Sequence, residues 1–410
     1  MKPFVLVVGG GPAGMAAALE CSKSGVKTIL VERENRLGGI LNQCIHNGFG
    51  LSYFGEELTG PEYAAKFVEK IKSSSVEVWL ETFVTKIESG KVCLISKNGA
   101  KTIYPSAVIL AMGAREKTAG NIKLLGTRPV GVFTAGQVQK LVNHFGLLPG
   151  KRAIIIGSGD IGLIMARRLS LEGAKVLGVY EIMSTSSGLA RNISSCLNDF
   201  GIPLFLSTTI IKVQGEKRVS GVWTAKVDEK LNPISGTENF VECDTFLLSV
   251  GLVPENDIVV NLEKNKFTNG AVVSETRETN LSGVFSCGNV LQIHDLVDNA
   301  CFEAELAGKN AALFAQDKSL KGKRFEIETG KGIRQVVPNF GFESEGKIEL
   351  MFRTSVVAKK CFVRVKLKSN GKKIAEKYSQ KFLPSQLQKI VVDKSRISNA
   401  IYLELEEVQK

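Results

Sequence analysis

A glycine-rich turn that follows an apolar segment occurs twice in this chain, and this repeat constrains the fold more than any other feature. The first copy follows the apolar run Phe4–Val8, and the second follows Arg152–Ile156, 148 residues further along. Both turns have the pattern G-x-G-x-x-G, with the glycines at Gly9, Gly11, Gly14, Gly157, Gly159 and Gly162. The repeat predicts two copies of one supersecondary unit within the chain.

Each copy contains the parts of an α/β unit in the same order. After the first turn, residues 12 to about 24 favour a helix, and a second apolar strand, Thr28–Val31, ends at Glu32. After the second turn, residues 163–172 favour a helix, and the strand Lys175–Tyr180 ends at Glu181. Unbroken apolar runs of this length predict buried strands of a parallel sheet.

These parts have specific roles in binding a dinucleotide. The first glycine permits the tight turn, the second lets the backbone approach a pyrophosphate, and the third lets the helix pack closely on the strand. The free N–H groups at the helix N-terminus face the phosphate charge. Glu32 or Glu181 can accept hydrogen bonds from a ribose. Two dinucleotide sites are therefore favoured; the alternative is a tight strand–helix turn without a ligand.

Composition narrows the class of protein. The chain is 44% hydrophobic, but no apolar run reaches the length of a membrane span. A cluster of glycines inside the first apolar stretch argues against a signal peptide. The eight cysteines are scattered without a C-x-x-C pair, which is typical of a reducing compartment and gives no spacing for zinc or an iron–sulfur cluster. We therefore expect a cytoplasmic protein without a metal site.

The net charge of +12 raises the question of an anionic partner, such as nucleic acid, a membrane surface or an acidic protein. About seven of these charges fall in residues 325–410, where they are spread along predicted strands. Because they do not gather on one helix, an ordinary solvated surface is favoured, and we expect little binding to nucleic acid.

The segments outside the two units differ in periodicity. A capping-box pattern starts a helix at Thr59, and residues 76–104 and 204–244 alternate with period two, which predicts two meanders. A short strand is expected at Gly270–Ser274 and a helix at about Val297–Ala315. Beyond a linker, apolar and polar residues alternate in Lys347–Arg353, Cys361–Leu367, Lys389–Val392 and Ile401–Leu405. This predicts a small antiparallel all-β domain, for which a sandwich is one arrangement.

Two such units in tandem, each closing on a strand that ends in a glycine, resemble the two-dinucleotide-binding-domain flavoproteins. That family includes thioredoxin reductase, glutathione reductase and ferredoxin reductase, and the resemblance covers about residues 1–320. It implies an α/β fold of two tandem Rossmann-like domains, with an NAD-binding domain inserted in an FAD-binding one. The implied boundaries are 1–115 with 252–320 for FAD, 116–251 for NAD, and 325–410 for the additional β domain.

The resemblance also implies which residues hold FAD. They are Gly9, Gly11, Pro12, Ala13, Gly14, Glu32, Arg33, Gly38, Gly39, Gly113, Gly251, Gly288, Asn289, Leu296 and Val297. Gly38 and Gly39 match a second glycine pair near the flavin phosphates. Asn289 replaces the acid that holds the ribityl chain in this family, and its amide can still hydrogen-bond a hydroxyl. The helix that starts near Leu296 would direct its positive N-terminus at the flavin pyrimidine.

In the second unit, the resemblance implies contacts with NAD from Gly157, Gly159, Asp160, Ile161, Gly162 and Glu181. A carboxylate at position 181 accepts a hydrogen bond from a free ribose 2′-hydroxyl and repels a 2′-phosphate. The first arginine after it is Arg191. NAD is therefore favoured over NADP.

Three longer phrases are similar to a narrower set of proteins: Gly39–His46, Gly157–Gly162 and Cys287–Val297. They resemble alpha-type subunits of heterotetrameric sarcosine oxidase, opine oxidase, dye-linked proline dehydrogenase and hydrogen cyanide synthase, and proteins that accompany glycerol-3-phosphate dehydrogenases. In that set a separate flavin subunit oxidises the substrate, and the alpha-type subunit handles a second dinucleotide and passes electrons. The resemblance implies other dehydrogenase subunits as partners.

Three side chains are candidates for chemistry beside the flavin: Cys44, His46 and His294. Disulfide reductases of this family use a pair of cysteines, and Cys44 has no second cysteine close to it in sequence. A packing or flavin-adjacent role is therefore favoured over disulfide catalysis. Both histidines lie in loops expected near the flavin and could protonate the flavin or the acceptor. The alternative for each is a hydrogen-bonded structural histidine.

Three functions remain open at this point. The favoured one is an FAD enzyme that exchanges hydride with NAD(H) and passes electrons within a larger dehydrogenase. The others are a redox-sensing protein whose output is a partner contact, and a stand-alone NADH oxidase or disulfide reductase. In the favoured case we expect residues 325–410 to dock a partner subunit. Truncation after about residue 323 would then leave FAD binding and NADH–dye activity largely intact.

Overall fold

The computed structural model describes residues 3–320 and 322–407. Residue 321 of the predicted linker and the last three residues of the predicted β domain lie outside this range. The chain forms two compact units, one of Met1–Ala114 with Pro254–Lys410 and one of Arg115–Val253. The α-helices within the described residues are α1 (Pro12–Lys23), α2 (Gly60–Lys72), α3 (Ala135–Phe145), α4 (Asp160–Leu171), α5 (Ala190–Cys196) and α6 (Val297–Ala315).

The first unit is built on a five-stranded sheet whose neighbouring strands are all parallel. In spatial order its strands are Val284–Ser286, Ala107–Leu110, Phe4–Val8, Lys27–Val31 and Glu77–Trp79. The predicted apolar strand Phe4–Val8 lies at its centre, where burial on both faces explains its lack of polar residues. A meander of Thr82–Glu88, Lys91–Ser96 and Gly99–Ile103 follows, and Asn47–Phe49 pairs with Leu58–Thr59.

Helices α1 and α6 pack against each other on one face of this sheet. Their contact is lined by small residues, since a Cβ on Gly308 of α6 would lie 2.5 Å from the carbonyl oxygen of Ala17. Helix α2 begins with the predicted capping box, in which Thr59 N donates to Glu62 Oε2 at 2.8 Å and Glu62 N donates to Thr59 Oγ1 at 3.4 Å.

The second unit repeats this plan with a second parallel five-stranded sheet. In spatial order its strands are Val132–Thr134, Thr245–Leu248, Arg152–Ile156, Lys175–Tyr180 and Leu204–Phe205. A further sheet contains Leu125–Gly126, Thr208–Gly215, Val219–Lys226 and Asn239–Glu242. The chain passes between the units through Ala114–Glu116 and Leu252–Pro254, which form a two-stranded sheet.

The C-terminal region forms two sheets that enclose one apolar core. One sheet contains, in spatial order, Phe340–Phe342, Arg324–Thr329, Ile401–Glu407, Ala358–Leu367 and Lys373–Phe382; the other contains Ile333–Val337, Lys347–Thr354 and Gln388–Asp393. The region is all-β, as predicted, and its strand pairs are antiparallel with one exception, since Arg324–Thr329 pairs in parallel with Ile401–Glu407.

The predicted strand Gly270–Ser274 does not form as a regular strand. Its residues make isolated bridges instead, and Ser274 pairs with Phe340 of the C-terminal region. Ala271, Val273, Leu291 and Val337 are each at most 1% exposed and form one small core. Packing against the C-terminal region therefore takes the place of strand pairing in this segment.

No helix within residues 3–320 and 322–407 combines the length and the apolarity needed to cross a bilayer. The same residues contain no group of three or more histidine, cysteine, aspartate or glutamate side chains placed to hold a metal ion.

Candidate dinucleotide-binding sites

The first glycine turn leaves open space at one position and is closely packed at another. A Cβ on Gly14 would lie 1.8 Å from the carbonyl oxygen of Gly9, so the start of α1 touches the turn. A Cβ on Gly11 would have no protein atom within 4 Å. Packing in the protein would therefore admit a side chain at position 11, and the open space there suits a pyrophosphate.

Glu32 joins the glycine turn to the chain that follows the second strand. Its Oε2 accepts from Gly10 N at 2.7 Å and its Oε1 accepts from Glu34 N at 2.8 Å. A carboxylate has about four acceptor positions, so Glu32 keeps capacity for ribose hydroxyls. One carboxylate thus accepts hydrogen bonds from the backbone of the glycine turn and from the backbone two residues after itself. We call this arrangement the carboxylate clasp. Arg33 beside it is exposed.

The second glycine pair lies against the first turn. Gly38 N donates to the carbonyl oxygen of Gly10 at 2.9 Å, and a Cβ on Gly39 would lie 3.0 Å from the Cα of Gly11. Gly39 starts a 3₁₀ helix that ends at Gln43. The fold thus brings the two glycine pairs, separated by more than twenty residues in sequence, to one place.

The late glycine motif also reaches this crevice. A Cβ on Gly288 would lie 2.8 Å from the Cβ of Ala13, so Gly288 packs beside the start of α1, where Pro12 is the first helical residue. Asn289 Oδ1 accepts from His294 N at 3.0 Å, which leaves the amide donors of Asn289 available for a ribityl hydroxyl. Leu296 is the N-cap of α6 without a side-chain capping bond, and Val297 begins the helix.

The second unit repeats the geometry of the first. A Cβ on Gly162 would lie 2.6 Å from the carbonyl oxygen of Gly157, whereas the nearest atom to a Cβ on Gly159 is 3.8 Å away. Glu181 forms a second carboxylate clasp: its Oε2 accepts from Ser158 N at 2.9 Å and its Oε1 from Met183 N at 3.0 Å. The two units therefore share the clasp as well as the glycines.

Other predicted residues of the second unit have mixed surroundings. Asp160 is the first residue of α4, and its Oδ1 accepts from Leu189 N at 2.8 Å and Asn192 Nδ2 at 2.7 Å, so it holds the following loop. Ile161 is partly buried against the apolar core. The crossover glycines Gly113 and Gly251 both have positive φ, +73° and +96°, at the ends of the chain passages between the units.

The three predicted catalytic side chains lie in different environments. Cys44 is buried, and its Sγ donates to the carbonyl oxygen of Ile40 at 3.3 Å. His46 is half-buried; its Nδ1 lies 2.9 Å from the carbonyl oxygen of Asn47 and its ring 4.9 Å from the ring of Phe49. Their assignment as catalytic residues stays a prediction.

The ring of His294 is only 1% exposed and is directed into the protein. Its Nε2 lies 2.9 Å from Glu303 Oε2, and the same carboxylate accepts from Arg277 Nε at 3.2 Å and Gln292 Nε2 at 3.1 Å. Burial alone would raise the pKa of Glu303, but the pairing with His294 and Arg277 lowers it below its usual value. This geometry favours the structural alternative for His294.

Sequence reasoning missed two acids of α6 that support the first crevice. Glu303 Oε2 accepts from Gly288 N at 3.0 Å, and Asp298 accepts from Gly50 N at 3.2 Å and Ser52 N at 2.8 Å. Both carboxylates are buried in a helix that is otherwise rich in alanine. A charged residue at an inward position of such a helix is the signal that could have identified them.

The two units have the same kind of crevice, each with a glycine turn and a carboxylate clasp. This geometry defines the chain as an α/β protein with two candidate nucleotide sites. It belongs to the pyridine nucleotide-disulphide oxidoreductase family, whose sequence profile matches residues 3–304. The predicted resemblance to the two-dinucleotide-binding-domain flavoproteins is thereby confirmed, and the protein is an oxidoreductase.

Individual proteins are similar to the chain in sequence, and one solved structure is similar to it in fold. The chain is 26% identical over 322 residues to thioredoxin reductase of Listeria monocytogenes, covering 76% of this chain and 94% of that protein. It is 26% identical over 274 residues to hydrogen cyanide synthase subunit HcnB of Pseudomonas protegens, covering 62% of this chain and 57% of that subunit. A crystal structure of T. acidophilum thioredoxin reductase superposes with a TM-score of 0.62 at 21% identity, covering 78% of this chain and 100% of that one.

Enzymes of this family use FAD and NAD(P)H, and the residues present fit both. The open positions at Gly11 and Gly159 and the two carboxylate clasps provide for a pyrophosphate and a ribose in each crevice. The cofactors supply the hydride chemistry, while this chain binds and orients them.

Proposed function

We propose that this protein is the electron-transfer subunit of a multi-subunit amine, hydroxy-acid or glycerol-3-phosphate dehydrogenase, exchanging hydride between FAD and NAD(H). The observation that carries the proposal is a combination: two nucleotide crevices, and one cysteine, Cys44, in residues 40–50 directly after the second glycine pair. Such a chain can take up and pass on electrons, but it lacks the cysteine pair of a disulfide reductase. The similarity to HcnB, whose name describes a synthase subunit, supports a multi-subunit assembly.

Two other cysteines of the first unit, Cys21 and Cys301, are poorly suited to replace that pair. All eight cysteines are thiols in the structure. Burial, with a smaller contribution from Glu20, raises the pKa of Cys21 to about 12, and burial also raises the pKa of Cys301. A thiol reacts as its thiolate, so these groups are unreactive at neutral pH.

A stand-alone reductase is the second candidate, because the alignment with thioredoxin reductase extends over 94% of that enzyme. Cys44→Ser separates the two. For an electron-transfer subunit we expect NADH–dye turnover to stay within about tenfold, or about 1.4 kcal/mol in activation free energy. Loss of all turnover, with two fewer electrons taken up per flavin in an anaerobic titration, would instead establish a dithiol mechanism.

The assembly itself is tested by isolating the native protein from its source under mild conditions. We expect it to elute with at least one further subunit that oxidises a substrate and reduces a dye. A single subunit that reduces a disulfide substrate with NADH would contradict the proposal. NAD is proposed as the nucleotide of the second crevice on account of Glu181.

A further inference from the structure

The segment between Gly288 and α6 is held mainly by side chains. His294 N donates to Asn289 Oδ1, and the carboxylate of Glu303 accepts from Gly288 N and Gln292 Nε2. This segment contains Gly288 and Asn289, which the family resemblance places at the flavin, and it leads directly into the N-terminus of α6. Its conformation therefore sets where three flavin-side groups lie.

The C-terminal β domain reaches this segment through a buried arginine. Arg353 Nη2 donates to the carbonyl oxygen of Ile293 at 2.8 Å and to Asp295 Oδ1 at 2.6 Å. Leu387 N of the same domain donates to Asp295 Oδ2 at 2.6 Å, and Gln292 Nε2 lies 3.5 Å from Met351 Sδ. The side chains of Arg353 and Asp295 are 11% and 25% exposed. Charge-assisted hydrogen bonds of this kind are stronger than neutral ones.

A second attachment fixes the other side of the same interface. Glu275 accepts from Phe342 N at 2.8 Å and from Lys394 Nζ at 2.9 Å, with the two charged side chains 10% and 5% exposed. Asn339 N donates to the carbonyl oxygen of Val273 at 2.9 Å. Within the first unit, the C-terminal β domain therefore contacts the remainder of the unit at two places, one of which adjoins the expected flavin site.

We propose that the C-terminal β domain acts as an internal brace for the FAD site, with Arg353 as the positioning residue. It holds Ile293 and Asp295 and thereby fixes Gly288, Asn289 and the N-terminus of α6 relative to the flavin. The inference rests on the binding of FAD in the first crevice, as the proposed function does. Arg353 contacts neither cofactor in this scheme; it acts through the backbone of the segment.

The test compares Arg353→Met and Arg353→Lys with Arg364→Met in the full-length protein. Arg364 is a matched control because it lies in the same domain and pairs with Glu376 at 3.2 Å on the outer sheet face. We expect Arg353→Met to weaken FAD binding by about tenfold or more, consistent with the loss of charge-assisted bonds. Arg353→Met should also shift the flavin midpoint potential. The fold-decrease in kcat with NADH should be larger than the fold-increase in KM for NADH. Arg353→Lys, which keeps one donor group, should retain part of the FAD affinity and part of the flavin potential of the unaltered protein. Arg364→Met should change FAD affinity less than about twofold.

If Arg353→Met does not fold, Asp295→Asn provides the same test, because it removes the charge while keeping the shape of the side chain. The proposal is wrong if the folded variant binds FAD and sets the flavin potential as the control does. An unaltered protein that binds FAD but transfers no electrons from NADH would overturn the proposed function. The proposed role of the C-terminal domain in the FAD site would not be affected by that result. An unaltered protein that takes up no FAD would overturn both.

Discussion

Two carboxylates show how closely the halves of this molecule correspond at the level of single residues. Glu32 and Glu181 each accept a hydrogen bond from the middle residue of a glycine turn and from the residue two places after the carboxylate. The glycines and acids, and their separation by 148 and 149 residues, were evident in the sequence. The bonds of the carboxylate clasp were not, because side-chain to backbone contacts carry no periodic signal.

Gly11→Val should abolish FAD binding while leaving the fold intact. The branched side chain would enter space that no protein atom occupies, so it obstructs the pyrophosphate and not the chain itself. The measurement is the absorbance of the purified protein and the FAD released on denaturation. Gly120→Val is a suitable control, since Gly120 is exposed and a Cβ there would have only Thr118 Oγ1 within 4 Å, at 3.7 Å. A yellow Gly11→Val protein with normal FAD content would contradict the assignment of the first crevice.

Glu181 variants test the choice between NADH and NADPH. The carboxylate repels a 2′-phosphate, so Glu181→Gln, which keeps an acceptor without the charge, should narrow the preference for NADH by about tenfold. Glu181→Ala should in addition weaken the binding of both nucleotides, because Ser158 and Met183 lose their acceptor. The ratio of anaerobic flavin reduction rates measures the preference. A faster reaction with NADPH in the unaltered protein would show that the role assigned to Glu181 is wrong.

At the scale of elements, the parallel strands were predictable and the C-terminal strands only in part. Phe4–Val8 and Arg152–Ile156 are central strands, buried on both faces, and central burial produces an unbroken apolar run. Lys373–Phe382 was missed, because this edge strand is mostly exposed and rich in lysine. The order of the strands could not be predicted there, since it depends on contacts between residues distant in sequence.

The contact between α1 and α6 provides a prediction at the same scale. Alanine is favoured over glycine by about 1 kcal/mol in a helix interior. At Gly308 the added Cβ would lie 2.5 Å from the carbonyl oxygen of Ala17, and overpacking costs about 1–3 kcal/mol. Gly308→Ala should therefore fail to stabilise the protein and should lower its free energy of unfolding in urea. Lys309→Ala on the exposed side of α6 is the control. A Gly308→Ala protein more stable than both this control and the unaltered protein would refute the close approach of α6 to α1 at Ala17.

For the molecule as a whole, the net charge matters less than how the charges are arranged, and one sheet face of the C-terminal region has basic groups paired with carboxylates. Arg364 bonds to Glu376 and Glu406, and Lys366 to Glu404 and Glu406. These hydrogen bonds raise the pKa of Lys366 above its usual value. Because carboxylates alternate with the basic groups, this face offers little to a phosphate backbone, and weak nucleic-acid binding stays our prediction. The docking of a partner subunit by residues 325–410 likewise stays a prediction.

Truncation after residue 323 has a different expected outcome once the packing is known. The sequence suggested a separable region, whereas the structure buries Val273 and Leu291 beneath it and pairs Glu275 with Lys394. Removing one partner of a buried ion pair costs about 3–5 kcal/mol. We therefore expect the truncated protein to unfold at a lower temperature and to lose FAD more readily. Thermal denaturation, followed through flavin fluorescence, measures both effects. Lys394→Met in the full-length protein measures the contribution of the ion pair with Glu275 alone. A truncated protein as stable as the full-length one would show that residues 1–323 do not depend on the C-terminal region.

The carboxylate clasp has a thermodynamic consequence for both crevices. Since the hydrogen bonds to each glycine turn come from Glu32 and Glu181 of the chain itself, the backbone entropy of ordering each turn is lost when the chain folds. Binding then requires little further ordering, and more of the interaction with the nucleotide remains as affinity. A nucleotide that leaves such a crevice after each turnover can be replaced by another without the turn having to re-form.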